Sequence, residues 1–159
     1  MQTTPNYHYC YLGAIGWDHP DWAGAFYPDD IPAEWHLNYY NTLFECVYLP
    51  YAQWHTATPE ALERWRSDTL DQFRFLLEPP PTADSDTDGS RMAILGDKAV
   101  IADPRQGPTL LWLKPDTPLR QLAQSLQALE QSTPIYLLSV SGDLAQLEQT
   151  RILLEVMGY

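Results

Sequence analysis

Positive charge is scarce in this chain. Nine Lys and Arg stand against 21 Asp and Glu, a formal charge of −12. Such a balance repels phosphate backbones, which excludes nucleic acid as a natural partner. Long apolar runs are missing too: none approaches the ~20 residues that cross a bilayer, so no spanning helix is expected. The opening MQTTPNYHYC has neither a basic n-region nor an apolar h-region, so no signal peptide is read there. Only two cysteines occur, Cys10 and Cys46. That is too few for a disulfide framework, and both sit in apolar, strand-like surroundings as small buried hydrophobes. A cytoplasmic location follows as the expectation. No Gly-rich phosphate loop, Gly-x-Ser-x-Gly elbow or Cys-x-x-Cys is present, Ser139 and Ser141 lack a base partner, and no cofactor is implied.

What is present is uneven. The 159 residues are 45% apolar and 19% charged, a composition that folds. Their number suits one domain, taken as 1–159. Trp17, Trp22, Trp35, Trp54 and Trp65 all lie before residue 66, with eight of the ten tyrosines. Aromatic density of this kind builds a heavy core or lines a cleft. By contrast, PPPTADSDTDGS at 79–90 has no hydrophobic period and reads as an exposed acidic loop.

Alternating elements surround that loop. Residues 9–15 read as a buried strand ending in Gly16, 32–40 as a short helix, LFECVY (43–48) as a second strand and FRFLL (73–77) as a third. Thr58-Pro59 is an N-cap and first-turn proline, placing Leu62, Trp65 and Thr69 on one helical face. MAIL and AVIA flank Gly96-Asp97, which predicts a β-hairpin. TLLWL (109–113) and IYLLSV (135–140) are further strands. Leu119, Leu122, Leu126 and Leu129 mark a helix opened by Thr117-Pro118, and Asp143 caps a last helix reaching about Met157. The order implies an α/β fold with a largely parallel sheet.

One segment is more specific. In GAIGWDHPDWAGAFYP (13–28), Gly13, Gly16, Trp17, Trp22, Gly24, Phe26, Tyr27 and Pro28 reproduce in order and spacing the opening pattern of the YecE-like proteins, domain of unknown function family 72, which the chain resembles. Trp35 with Tyr39-Tyr40, Glu45 in LFECV, Pro59 to Trp65, FRFLLEP and GPTLLWLKP continue the likeness more loosely. Val47 stands where the family has asparagine, Glu78 where it has lysine, and LLSVSG (137–142) lacks the usual Arg-His pair. The resemblance implies a fold similar to a TIM barrel. Such barrels need at least ~200 residues, so the expectation is a partial barrel of about five mainly parallel strands plus a hairpin. Open sheet edges then call for a homodimer or a capped monomer.

Chemistry in such sheets gathers at the carboxyl ends of the strands. That places Gly16, Trp17, Asp18 and His19 after the first strand, Glu45 at the end of the second and Glu78 at the end of the third. Gly16, Trp17, His19, Trp22, Tyr27 and Glu45 are the candidate ligand-binding residues, a pocket for a small polar ligand or a protein partner. Glu45 and Glu78 form the alternative, a glycosidase-like carboxylate pair. The departures from the family pattern remove polar groups, which favours binding over catalysis. A third alternative is an interaction protein with a purely structural aromatic core. For metals, His8, Cys10 and His19 lack zinc-ligand spacing. Asp84, Asp86, Asp88 and Gly89 match positions 1, 3, 5 and 6 of a calcium loop, but position twelve is Leu95 and prolines replace the entering helix. A solvated acidic loop is the expectation there, and no metal.

Overall fold

The computed structural model describes residues 10–81, 86–103, 108–129 and 134–158. Six strands form one sheet: β1 (Cys10–Ile15), β2 (Cys46–Leu49), β3 (Arg74–Leu77), β4 (Ala99–Ile101), β5 (Thr109–Leu113) and β6 (Ile135–Ser139). Their spatial order is β4-β3-β2-β1-β6-β5 and every pairing is parallel. The sheet curls into a half-barrel. Tyr48 on β2 and Trp112 on β5 are three strand steps apart, ~14 Å on a flat sheet, yet their rings meet edge-on at 5.1 Å.

Among the described residues six α-helices accompany the strands: α1 (His36–Leu43), α2 (Tyr51–His55), α3 (Pro59–Ser67), α4 (Asp86–Leu95), α5 (Leu119–Ala128) and α6 (Leu144–Met157). Their caps follow local chemistry. Thr58 accepts the Ala61 N–H at the start of α3. The Asp143 carboxylate accepts from Ala145 and Gln146 at the start of α6, which ends at Gly158 in the left-handed conformation. Period-two alternation sends Leu12, Ala14, Val47, Leu49, Phe75 and Leu77 to the helix side, where they join Leu37, Tyr40, Leu62, Leu122, Leu126 and Leu147 in the main core. The opposite residues, Cys46, Leu76, Tyr136 and Leu138, pack together inside the curl.

The half-barrel has six strands rather than about five, and the hairpin is absent. MAIL lies within α4, Gly96–Lys98 is a 3-10 turn, and Ala99–Ile101 pairs parallel to β3. A helix there lets Leu95 reach the core, 1% exposed, with Met92 and Ile94 packed beside it. The acidic stretch is likewise no simple loop, since α4 begins at Asp86. The second strand starts at Cys46 rather than residue 43, because α1 runs through Leu43. No helix of the described residues is long and apolar enough to cross a membrane.

Candidate functional site at the carboxyl end of the sheet

β1 leaves the sheet through Gly16, whose φ of +71° turns the chain while its N–H still bonds Tyr48 O. Pro20–Trp22 forms a 3-10 turn, and residues 22–27 fold back on it through Phe26 and Tyr27 N–H bonds to Trp22 O. This winding sinks the aromatic rings. Trp17 packs edge-on against Trp65 at 5.1 Å. Trp22 is 1% exposed, and its Nε1–H donates to Gly142 O at 2.7 Å, tying the β1 loop to the β6 loop. The buried Tyr27 hydroxyl donates to Trp17 O. Burial and the nearby Asp18 charge push that phenol far above its usual range. Trp17 and Trp22 are therefore core residues and do not line the concavity beside them.

Above them lies a concavity of about 380 Å³ lined by Asp18, His19, Tyr27, Pro28, Asp29 and His36, among others. His36, from the first turn of α1, stacks on Tyr27 at 4.0 Å and 7° and sets Nδ1 2.8 Å from Asp18 Oδ1. His19 sits tilted on Trp22, ring centroids 4.4 Å apart, and crowds Gly142, where a Cβ would come within 2.6 Å of Nδ1. Its Nε2 is buried and has no hydrogen-bond partner among the described residues. Asp29 lies against Gly24, where a Cβ would fall 2.8 Å from Oδ1. Gly24 has φ +75°, so the same glycine makes the turn and the space for this carboxylate. Asp18, Asp29 and His36 were not among the sequence-derived candidates. Spacing carried no signal, because a fold-back 18 residues long brings Asp18 and His36 together.

Glu45 is displaced from its expected place. It precedes β2, at the amino end of the sheet, because the strand it was expected to finish begins one residue later. There Oε1 accepts the Leu12 N–H at 3.1 Å and Oε2 faces Arg151 at 3.4 Å. Burial raises its carboxyl above the usual value, with Arg151 and the Leu12 N–H partly opposing. Glu78 does follow β3 at the carboxyl end. It accepts the Tyr51 N–H at 2.7 Å and so caps α2, where Pro50 cannot. Cys46 pairs with Arg74 and Leu49 with Leu77. Glu45 and Glu78 are thus five residues of rise apart, roughly 16 Å. Glycoside hydrolysis needs ~5–5.5 Å or ~6.5–9.5 Å, so these two do not form a catalytic pair.

Asp84 and His8 lie outside the described residues, as does the Asp86 side chain. Asp88 is 1% exposed on α4, accepting from Tyr51 Oη at 2.8 Å and contacting His55 Nδ1 at 3.1 Å. It pins α4 to α2 instead of facing a calcium ion. No group of three metal-ligating side chains occurs among the described residues. Cys46 is fully buried and its thiol pushed well up, while the half-buried Cys10 is raised to about 11. Neither is activated.

No curated protein and no solved structure matches the chain. The family model described as "Protein of unknown function DUF72" matches residues 11–140, which take in the six strands but for the first residue of β1, together with the strand-end concavity, and the chain belongs to that family.

Proposed function

We propose that the protein binds a small polar ligand in the concavity beyond β1, held by Asp18, His19, Asp29 and His36. The observation that carries this is the character of the lining. Two carboxylates and two imidazoles stand over a rigid aromatic floor, with no Lys or Arg among the lining residues. A concave site with a few convergent polar groups is the usual form of a small-molecule site. The lining favours neutral or cationic ligands with several hydrogen-bond donors over phosphates. Binding rather than hydrolysis is favoured because Glu45 and Glu78, the carboxylate pair expected to catalyse, lie at opposite ends of the sheet. His36 also holds Asp18 in place and leaves the second carboxylate oxygen for the ligand.

The test is a thermal-shift screen of the wild type and Asp18→Asn against diamines, amino sugars, neutral sugars and sugar phosphates. A ligand at 100 times its Kd adds ~2.7 kcal/mol of stability, a visible shift. A shift from a donor-rich neutral or cationic compound, lost in Asp18→Asn, supports the reading. Silence across the panel, or equal shifts in both proteins, overturns it.

A further inference from the structure

A second concavity, of about 430 Å³, lies on the outer helix layer between α1 and α3. Its floor is apolar and aromatic. Trp35 is 57% exposed, unusual for an indole, with the half-buried Ile31 and Tyr39 beside it. Trp35 is mounted rigidly, closing the Ala33–Trp35 3-10 turn with its N–H on Pro32 O and preceding α1 as its N-cap. Trp35, Asn38, Tyr39 and Thr42 recur at helical spacing, so one face of α1 presents ring, amide, ring and hydroxyl in succession. Arg64 and Asp68 complete the rim from α3 and the residue that follows it.

The Asn38, Arg64 and Asp68 side chains are not bonded to one another among the described residues, and the Asp68 N–H alone ties that rim together by donating to Arg64 O. Arg64 and Asp68 are four residues apart yet form no ion pair among the described residues, and Arg64 reaches only Glu34 O, at 3.5 Å. The Asn38 amide and Asp68 carboxylate have no side-chain partner among the described residues. An aromatic platform is thus bordered by a donor, an acceptor and an amide that is both. The two rim charges cancel, which gives no preference for an anion.

We infer that this groove is a subsite for a neutral pyranose ring. One C–H face of such a ring lies on the Trp35 indole, and its edge hydroxyls bond Asn38, Arg64 and Asp68. A phosphate would be repelled by Asp68, and an acyl chain would leave three polar groups dry and unbonded. The polar groups it rests on differ from those of the strand-end site, although Ile31 lines both concavities.

The experiment is a titration of the full chain with methyl glucoside, methyl galactoside and cellobiose, followed by the Trp35 indole N–H and the Asn38 amide in proton–nitrogen correlation spectra. Saturable movement of both signals with at least one sugar is expected. Trp35→Ala should weaken the Asn38 response at least about tenfold, and Asp68→Asn should weaken it too. Trp112→Ala, at the other exposed tryptophan, should leave it unchanged. Trp35 is exposed, so its replacement keeps the fold, which the dispersion of the same spectra verifies. Signals that stay fixed with every sugar, or respond equally in Trp35→Ala, overturn the inference. So does saturable binding of a proline-rich peptide with no response to sugars.

Discussion

Removing one hydroxyl, in Tyr40→Phe, probes how the half-barrel holds its central strands. Tyr40 is fully buried on α1. Its hydroxyl accepts the Ala14 N–H at 2.9 Å and donates to Cys46 O at 2.6 Å, standing between β1 and β2 as a rung of the ladder. The strands approach closely beside it, and a Cβ on Gly13 would sit 1.9 Å from Cys46 O. Phenylalanine fits the cavity but leaves one buried donor and one buried acceptor unbonded. At ~1–3 kcal/mol for each, the expected loss is about 2–6 kcal/mol out of the ~5–15 kcal/mol typical of a domain. Urea unfolding followed by tryptophan fluorescence reads this directly, with an unchanged m-value confirming that the native state is the same. Tyr39→Phe, on the same helix and only half-buried, is the control and should cost far less. A loss below about 1 kcal/mol for Tyr40→Phe would mean that the strands close up to bond directly, and the bridging role would be refuted.

Three further outcomes follow from the same structure. Lys98→Met removes a buried ammonium that donates to Arg66 O, Thr69 O and Thr69 Oγ1 at 2.7–3.0 Å; urea melts should show a loss of about 2–4 kcal/mol, whereas a gain would mean that desolvation outweighs the three bonds. The Glu45 carboxyl is raised in the folded state, so the unfolded chain releases its proton first and Glu45 costs stability as pH rises through that window. Glu45→Gln should accordingly be slightly more stable than wild type at pH 7, and the gap should close as the pH falls through the raised value; a gap that widens in acid contradicts this. Cys46 should resist alkylation in the native protein and react at the free-thiol rate once unfolded, which mass spectrometry of the labelled chain reports.

Most strand positions and helix caps were legible where local chemistry decides them. Thr58-Pro59, Asp143 and the leucine spacing of α5 all act within one turn of the chain, and each feature forms where the pattern placed it. MAIL was misread because four apolar residues before a Gly-Asp satisfy a hairpin and a helix end equally. Packing of α4 against α3 settles it, and that contact is distant in sequence. Glu45 shows how a misplaced strand boundary can change a functional reading. The expected strand ran over 43–48 and included Glu45, and starting it at Cys46 leaves Glu45 just before the strand, at the amino end of the sheet. The glycine and tryptophan pattern of 13–28 marks the loop after β1, and its tryptophans and glycines are the scaffold of that loop. Asp18 was placed beyond β1 by the pattern, whereas Asp29 and His36 came beside it only through the fold-back.

The central claim is that the concavity beyond β1 takes a polar ligand on Asp18 and His36. Its most direct measurement is nitrogen-resolved NMR of the imidazole rings while the best hit from the thermal screen is titrated in. The account predicts that the His36 and His19 ring signals move together and saturate, that Trp112 stays fixed, and that Asp18→Asn abolishes the response. Imidazole signals that hold still while the ligand binds would place it elsewhere and contradict the account.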